Sequence, residues 1–222
     1  MSPRARRAHL GVGAVDRVIQ MTYKIRACRR SRVRRRFAAA ILFIGIAGIA
    51  AAAQDVAFRL DSQHATIHFT LGDVLHTVHG TFQLKQGSLR LDPALGKLTG
   101  EIIVDAKSGD SGSGMRDRKM HREILESDRY PEIAFRPDRV EGVVALRGKS
   151  SVRVHGIFTI HGSDHELTAP AEVEMTSGQW SATIHFAVPY VNWGMKNPST
   201  LFLRVNESVD IDVTADGTVI QP

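Results

Sequence analysis

From residue 54 onward the chain alternates apolar and polar side chains with a period of two, and it abandons that period only once. Alternation marks strands with one buried face, because successive side chains of a strand point to opposite sides. The interruption is SGSGMRDRKMHREILESDRYPEIAF, residues 111–135. Within it Met120 and Ile124 stand four apart with Leu125 beside them. Arg116, Asp117, Arg118, Lys119, Arg122, Glu123 and Glu126 fill the positions around them. This spacing predicts one short amphipathic helix over 113–127, with Ser113 as N-cap and Tyr130-Pro131 forcing extended backbone after it. Its charges read mostly as a solvated face, with Arg118–Arg122 and Arg122–Glu126 at i,i+4 spacing. A single charged helix set into a β chain admits few folds.

The strands follow at spacings that suit an all-β barrel or sandwich. Residues 65–71 place Ala65, Ile67, Phe69 and Leu71 on one face, and 76–84 place Val78, Gly80, Phe82 and Leu84 together. A short strand at 87–91 ends in a turn at Asp92-Pro93. Residues 97–105 align Leu98, Gly100, Ile102 and Val104, a polar glycine-rich loop is expected over 105–114, and the sheet resumes at Ile133 to Phe135. Val152, Val154, Gly156, Phe158 and Ile160 share the next face, followed by a three-residue hairpin loop at Gly162-Ser163-Asp164. Leu167 to Met175, Trp180 to Val188 and Val209 to Ala215 repeat the alternation. Pro170 and Pro189 lack a ladder donor and belong at an edge, bulge or strand end. Alternation alone does not separate a filled sandwich from a barrel of about eight strands with room for a ligand.

The formal charge of +6 is unevenly distributed. Residues 1–36 hold 12 of the 29 Lys and Arg but only one acid, Asp16, and residues 37–53 hold no charge. A basic stretch, an apolar core and Ala51-Ala52-Ala53 before Gln54 read as a secretory signal cleaved near Ala53, too short and too alanine-rich for a membrane span. Met21 is an alternative start, and Arg34-Arg35-Arg36-Phe37 leaves the export route, general or twin-arginine, open. The remaining domain, 54–222, keeps 17 basic and 22 acidic residues, a net of −5. Nucleic acid therefore drops out as a partner. The one cysteine, Cys28, precedes the apolar core, so the exported domain must hold itself together without disulfides.

Four strings in order resemble the YceI-like family, periplasmic lipid-binding proteins with a lipocalin-like barrel. They are Asp61-Ser62-Gln63-His64-Ala65-Thr66-Ile67-His68-Phe69, then His79-Gly80-Thr81-Phe82, then the block from Met115-Arg116-Asp117 to Tyr130-Pro131-Glu132-Ile133-Ala134-Phe135, and then Gly156-Ile157-Phe158-Thr159-Ile160-His161-Gly162. The resemblance spans roughly residues 58–215. It implies an extended antiparallel barrel, with the helix as an inserted element, enclosing a polyisoprenoid, an isoprenoid quinone or a fatty-acid-like chain. The residues it nominates as ligand contacts are Phe69, Val78, Phe82, Leu84, Ile102, Val104, Phe135, Phe158, Ile160, Ile184, Phe186, Tyr190, Asn192 and Trp193. One departure stands out. Where the family commonly has an acidic-Arg pair, this chain reads Pro189-Tyr190-Val191-Asn192-Trp193-Gly194-Met195, with Tyr190 in place of the arginine. The expectation is a neutral head group, hydrogen-bonded by Tyr190 or Asn192.

Catalytic and metal signals are weak. His64 and His68 lie about 13 Å apart along one strand, His76 and His79 point to opposite faces, and only His161 and His165, flanking the hairpin loop, could face each other. No GxSxG or comparable nucleophile grouping is present. Asp210 and Asp212 fall on an outward strand face. The sequence thus predicts an exported, non-catalytic carrier of a long-chain amphiphile, with no cofactor and no metal. A homodimer and a membrane protein that exchanges the lipid are compatible partners. A ligand-free β-sandwich serving as an envelope interaction module is the alternative.

Overall fold

A computed structural model describes residues 55–72, 76–200 and 204–220. The basic leader, its apolar core and the cleavage position near Ala53 lie outside the described residues. Nine strands follow in order: β1 Val56–Leu60, β2 Thr66–Gly72, β3 Thr77–Asp92, β4 Lys97–Asp110, β5 Glu132–Glu141, β6 Gly148–Ile160, β7 Ser163–Thr176, β8 Gln179–Val188 and β9 Val209–Ile220. Between β4 and β5, helix α1 (Gly114–Lys119) runs directly into a π-helical turn, Met120–Ile124. Neighbouring strands are antiparallel and the sheet closes through β3 and β4 into the expected all-β barrel. Strands β1 and β2 share one position in the wall. β2 pairs with the first half of β3 and of β9, whereas β1 pairs with their second halves. Eight positions therefore close the barrel.

The face assignments read from the alternation hold for every strand that the pattern located, with phase changes at bulges. What the pattern treats as two strands, 76–84 and 87–91, is one long β3. Its register with β4 shifts between Leu84 and Gln86, so the inward set passes from Val78, Phe82 and Leu84 to Leu89 and Leu91. The shift imitates a strand break because one extra residue flips every later side chain to the other face. The loop expected over 105–114 is likewise mostly strand. β4 runs to Asp110 with a wide irregularity opposite Thr81 and Gln83. There the amide of Gln83 donates to Ser108 Oγ (2.8 Å), and that hydroxyl donates to the carbonyl of Asp105 (2.6 Å). Side-chain oxygens take over the pairing that the ladder gives up. Strand β1 is too short and too close to the leader for its alternation to stand out.

The helix is shorter and less regular than expected. Ser113 is the N-cap residue but its hydroxyl makes no capping bond. The amide of Ser111 donates instead to the Asp117 carboxylate (2.9 Å), as does the Ser111 hydroxyl. The π turn, with Leu125 N–H donating to Met120 C=O (2.9 Å), brings both Ile124 and Leu125 onto the barrel. His121 fastens the turn, its Nε2 2.9 Å from the carbonyl of Gly109 and its Nδ1 3.1 Å from Ser127 Oγ. The expected Arg122–Glu126 pair is replaced, Glu126 lying near Arg129 and His161 instead. The β6–β7 loop has two residues, not three, because Ile160 pairs directly with Ser163. His161 (φ 51°) and Gly162 (φ 74°) are both left-handed, as the tightest hairpin turns require. His161 thus lies in the turn itself and packs on Tyr130 at 4.9 Å, so it does not face His165.

One seam of the wall is incomplete. β7 and β8 pair only between Ala171↔Ile184 and Thr176↔Gln179. Toward the helix end, residues 163–170 keep partners on β6 and residues 185–188 keep partners on β9, but the two strands no longer pair with each other. Pro170 sits where the pairing stops and Pro189 just beyond the end of β8, the edge and end positions a residue without a donor tolerates.

Candidate functional site

The inward faces form two apolar clusters rather than one. Away from the helix, Phe58, Leu60, Leu84, Leu91, Leu98, Met175 and Trp180 pack together. Beside the helix, Leu125, Ile133, Phe158, Ile160, Val188, Tyr190 and Met195 form the second cluster, with Met120 and Ile124 against it. A continuous cavity of about 600 Å³ borders residues of both. That lies within the range of small-molecule sites. Its wall is built by alternate residues of the strands, so it is almost wholly hydrocarbon. Inward residues such as Val78, Phe82, Ile102, Val104 and Phe186 are only half-buried because they face this space.

Twelve of the fourteen nominated residues border the cavity: Phe69, Val78, Phe82, Leu84, Ile102, Val104, Phe135, Phe158, Ile160, Ile184, Phe186 and Tyr190. Asn192 and Trp193 do not. They follow β8 in a turn, where Asn192 is exposed and Trp193, half-buried, packs on the helix-end cluster with its ring 5.8 Å from that of Phe158. Trp193 lies flat on His165 with ring centroids 4.1 Å apart, bridging the seam between β7 and the segment after β8. His165 shares the inward side of β7 with Leu167, and its Nε2 is buried without a partner. Burial holds the imidazole below its ordinary pKa, so the neutral ring stacks. Tyr190 borders the cavity, but its hydroxyl donates to the carbonyl of Asn206 at 2.7 Å. Burial pushes the phenol up to about 12. That proton is already committed, which removes Tyr190 as the free donor expected for a neutral head group.

The polar part of the lining lies at the helix end: Ser111, Ser113, Arg116 and Lys119. The sequence reading placed the two cations on a solvated face. Position in the helix could not reveal otherwise, because the helix lies at the rim and presents its first turn to solvent and cavity together. Met115 is 76% exposed and also borders the cavity, so the cavity reaches the surface beside α1. At the far end the ring of Trp180 meets Phe58 edge-on at 5.7 Å, and its indole N–H is buried without an acceptor.

The one potential metal grouping among the described residues, Asp61, His64 and Asp216, lies outside the cavity lining. His64 Nδ1 is 2.8 Å from Asp61, and that hydrogen bond first, then the carboxylate charge, raises the imidazole above its ordinary value. The arrangement reads as an exposed turn lock.

The fold resembles two solved structures at low sequence identity. Burkholderia cenocepacia BcnA matches with a TM-score of 0.59 and 15% identity, covering 72% of this chain and 99% of BcnA. A polyisoprenoid binding domain from Saccharophagus degradans, implicated in plant cell wall breakdown, matches with a TM-score of 0.57 and 15% identity, covering 74% of this chain and 98% of that domain. A comparison with curated proteins finds no match. The YceI-like domain profile matches residues 58–216, from the second residue after the start of β1 into β9. With nearly all of the barrel inside that match, the chain belongs to the YceI-like domain family.

Proposed function

We propose that this protein is an exported, non-catalytic carrier that holds one long-chain amphiphile, a polyisoprenoid, an isoprenoid quinone or a fatty-acid-like lipid, inside its barrel. The apolar cavity of about 600 Å³ carries the reading. A stable barrel of this size needs no such void, and its hydrocarbon wall offers a tail about 0.8 kcal/mol for each methylene it buries. The relative from Saccharophagus degradans, a polyisoprenoid binding domain, supports the same ligand class. The basic and apolar leader of the sequence supports export, with cleavage near Ala53. N-terminal sequencing of protein recovered outside the cytoplasm tests that part.

Native mass spectrometry of freshly purified protein, followed by organic extraction, tests the carrier. A co-purifying single-chain lipid at one per barrel is the expected result. A protein that emerges empty and takes up no long-chain probe would overturn the reading and favour a ligand-free interaction module.

A further inference from the structure

We propose that the cavity end beside α1 receives an anionic head group, a phosphate or a carboxylate, held by Lys119, Arg116 and Ser113. The inference rests on the carrier reading and names the chemistry of the amphiphile. Among the described residues the charged side chains bordering the cavity are Arg116 and Lys119, and no carboxylate borders it. Both lie at the same end, where the cavity meets solvent past Met115.

Neither cation makes a direct salt bridge among the described residues, although the Asp117 carboxylate acts on Arg116 from behind Ser111 and Glu123 acts on Lys119 at longer range. The natural partner for Lys119 is Glu123, one turn on, but Glu123 is held by Lys196 at 2.8 Å. Lys119 is left with the carbonyl of Pro198 at 3.3 Å. Arg116 donates from Nε to Ser111 Oγ and from a terminal nitrogen to the Ser111 carbonyl, both at 2.8 Å. These bonds fix the guanidinium in place yet use only two of its five N–H groups. Ser113, which might have capped the helix, has no hydrogen-bond partner for its hydroxyl among the described residues and borders the cavity instead. Two cations and a free hydroxyl therefore surround the mouth of a hydrocarbon channel. A neutral head would leave both cations without a direct ion-pair partner on the cavity side. An oxyanion accepts charge-assisted hydrogen bonds from all three. The exported domain carries a net charge of −5, so this selectivity comes from local placement and not from the overall field.

The test compares two pairs of probes that share a tail and differ in charge: geranylgeranyl monophosphate with geranylgeraniol, and hexadecanoate with hexadecanol. Each anion should bind about tenfold more tightly than its alcohol near neutral pH at low salt. The larger gain of the two assigns phosphate or carboxylate. Raising the salt from about 0.05 to about 0.5 M should narrow the gap, since the site is partly open to solvent. Lys119→Gln should remove most of the preference while leaving the alcohols unchanged. Arg116→Gln should act in the same direction, and circular dichroism controls for its contact with Ser111. Equal binding of anion and alcohol would overturn this inference alone, as would a preference that survives both substitutions. Failure of all four probes to bind would overturn the carrier reading and this inference with it.

Discussion

Placing a phenylalanine at Ala171 should shorten the lipid that the barrel can hold without changing how a short one binds. Ala171 is buried, borders the cavity and pairs with Val152 on one side and Ile184 on the other. It stands eight residues from the helix-end start of β7, about 26 Å along the strand. A tilt of about 40° to the barrel axis reduces this to about 20 Å of depth. The added ring points into open space and displaces whatever part of the tail lies at that depth. Excluding about four methylenes at about 0.8 kcal/mol each forfeits about 3 kcal/mol, or about two orders of magnitude in Kd. The assay is a series of saturated acids of increasing length titrated against the wild type and Ala171→Phe. Tails that end short of about 20 Å should bind both proteins alike, and longer ones should lose affinity only in the variant. The melting temperature serves as the control, because a ring that enters a void should spare the about 1–3 kcal/mol usual for overpacking. An equal loss at every chain length, or no loss at the longest, would refute a tail running inward from the helix end.

Two further substitutions probe the helix end. Met120 packs against Phe82 and Gly109, where an added Cβ would stand 2.7 Å from its terminal methyl. Met120 is half-buried, so Met120→Asp should forfeit part of the about 1.5–3 kcal/mol that full burial of such a side chain brings, lowering the melting temperature and the retention of bound lipid, and unchanged values of both would refute the helix as a cover. Tyr190→Phe strips the Asn206 carbonyl of its donor and should cost about 1 kcal/mol in denaturant unfolding. It should leave the affinity for geranylgeraniol unchanged, whereas a marked drop would restore Tyr190 as a direct head-group contact.

The strands and their inward faces were legible in the sequence because each has one wet face and one apolar face, and a period of two survives burial, whereas closure into a barrel followed from the family resemblance alone. Val78, Ile102, Phe158 and Ile184 fall on the inward side for that reason. The bulge after Leu84 and the irregular stretch of β4 were not legible, since a flipped phase or a polar run resembles a loop until the partner strand is known. The π turn was hidden for a related reason: Met120, Ile124 and Leu125 satisfy an ordinary helix equally well. Most of the candidate contacts followed from the face assignment. The cavity did not, because filled and hollow barrels share one alternation pattern. The cationic end of the lining was missed because Arg116 and Lys119 sit among other charges, and only the position of α1 at the rim distinguishes them. Their signal in retrospect is Lys196, remote in sequence, which takes the direct ion pair with Glu123 that Lys119, one turn away, could have made.

The unpaired stretch of the β7–β8 seam means that the girth of this barrel is controlled in two different ways along its length. Over residues 171–176 it is fixed by backbone hydrogen bonds and can change only if they break. Nearer the helix, the two edges of the seam are joined by a ring contact between His165 and Trp193. Parting two stacked rings disrupts no ladder, so a guest with a bulky front end meets less resistance at that end than strand number alone would dictate. A rigid collar therefore surrounds the depth where a tail would lie, and a compliant one surrounds the entrance.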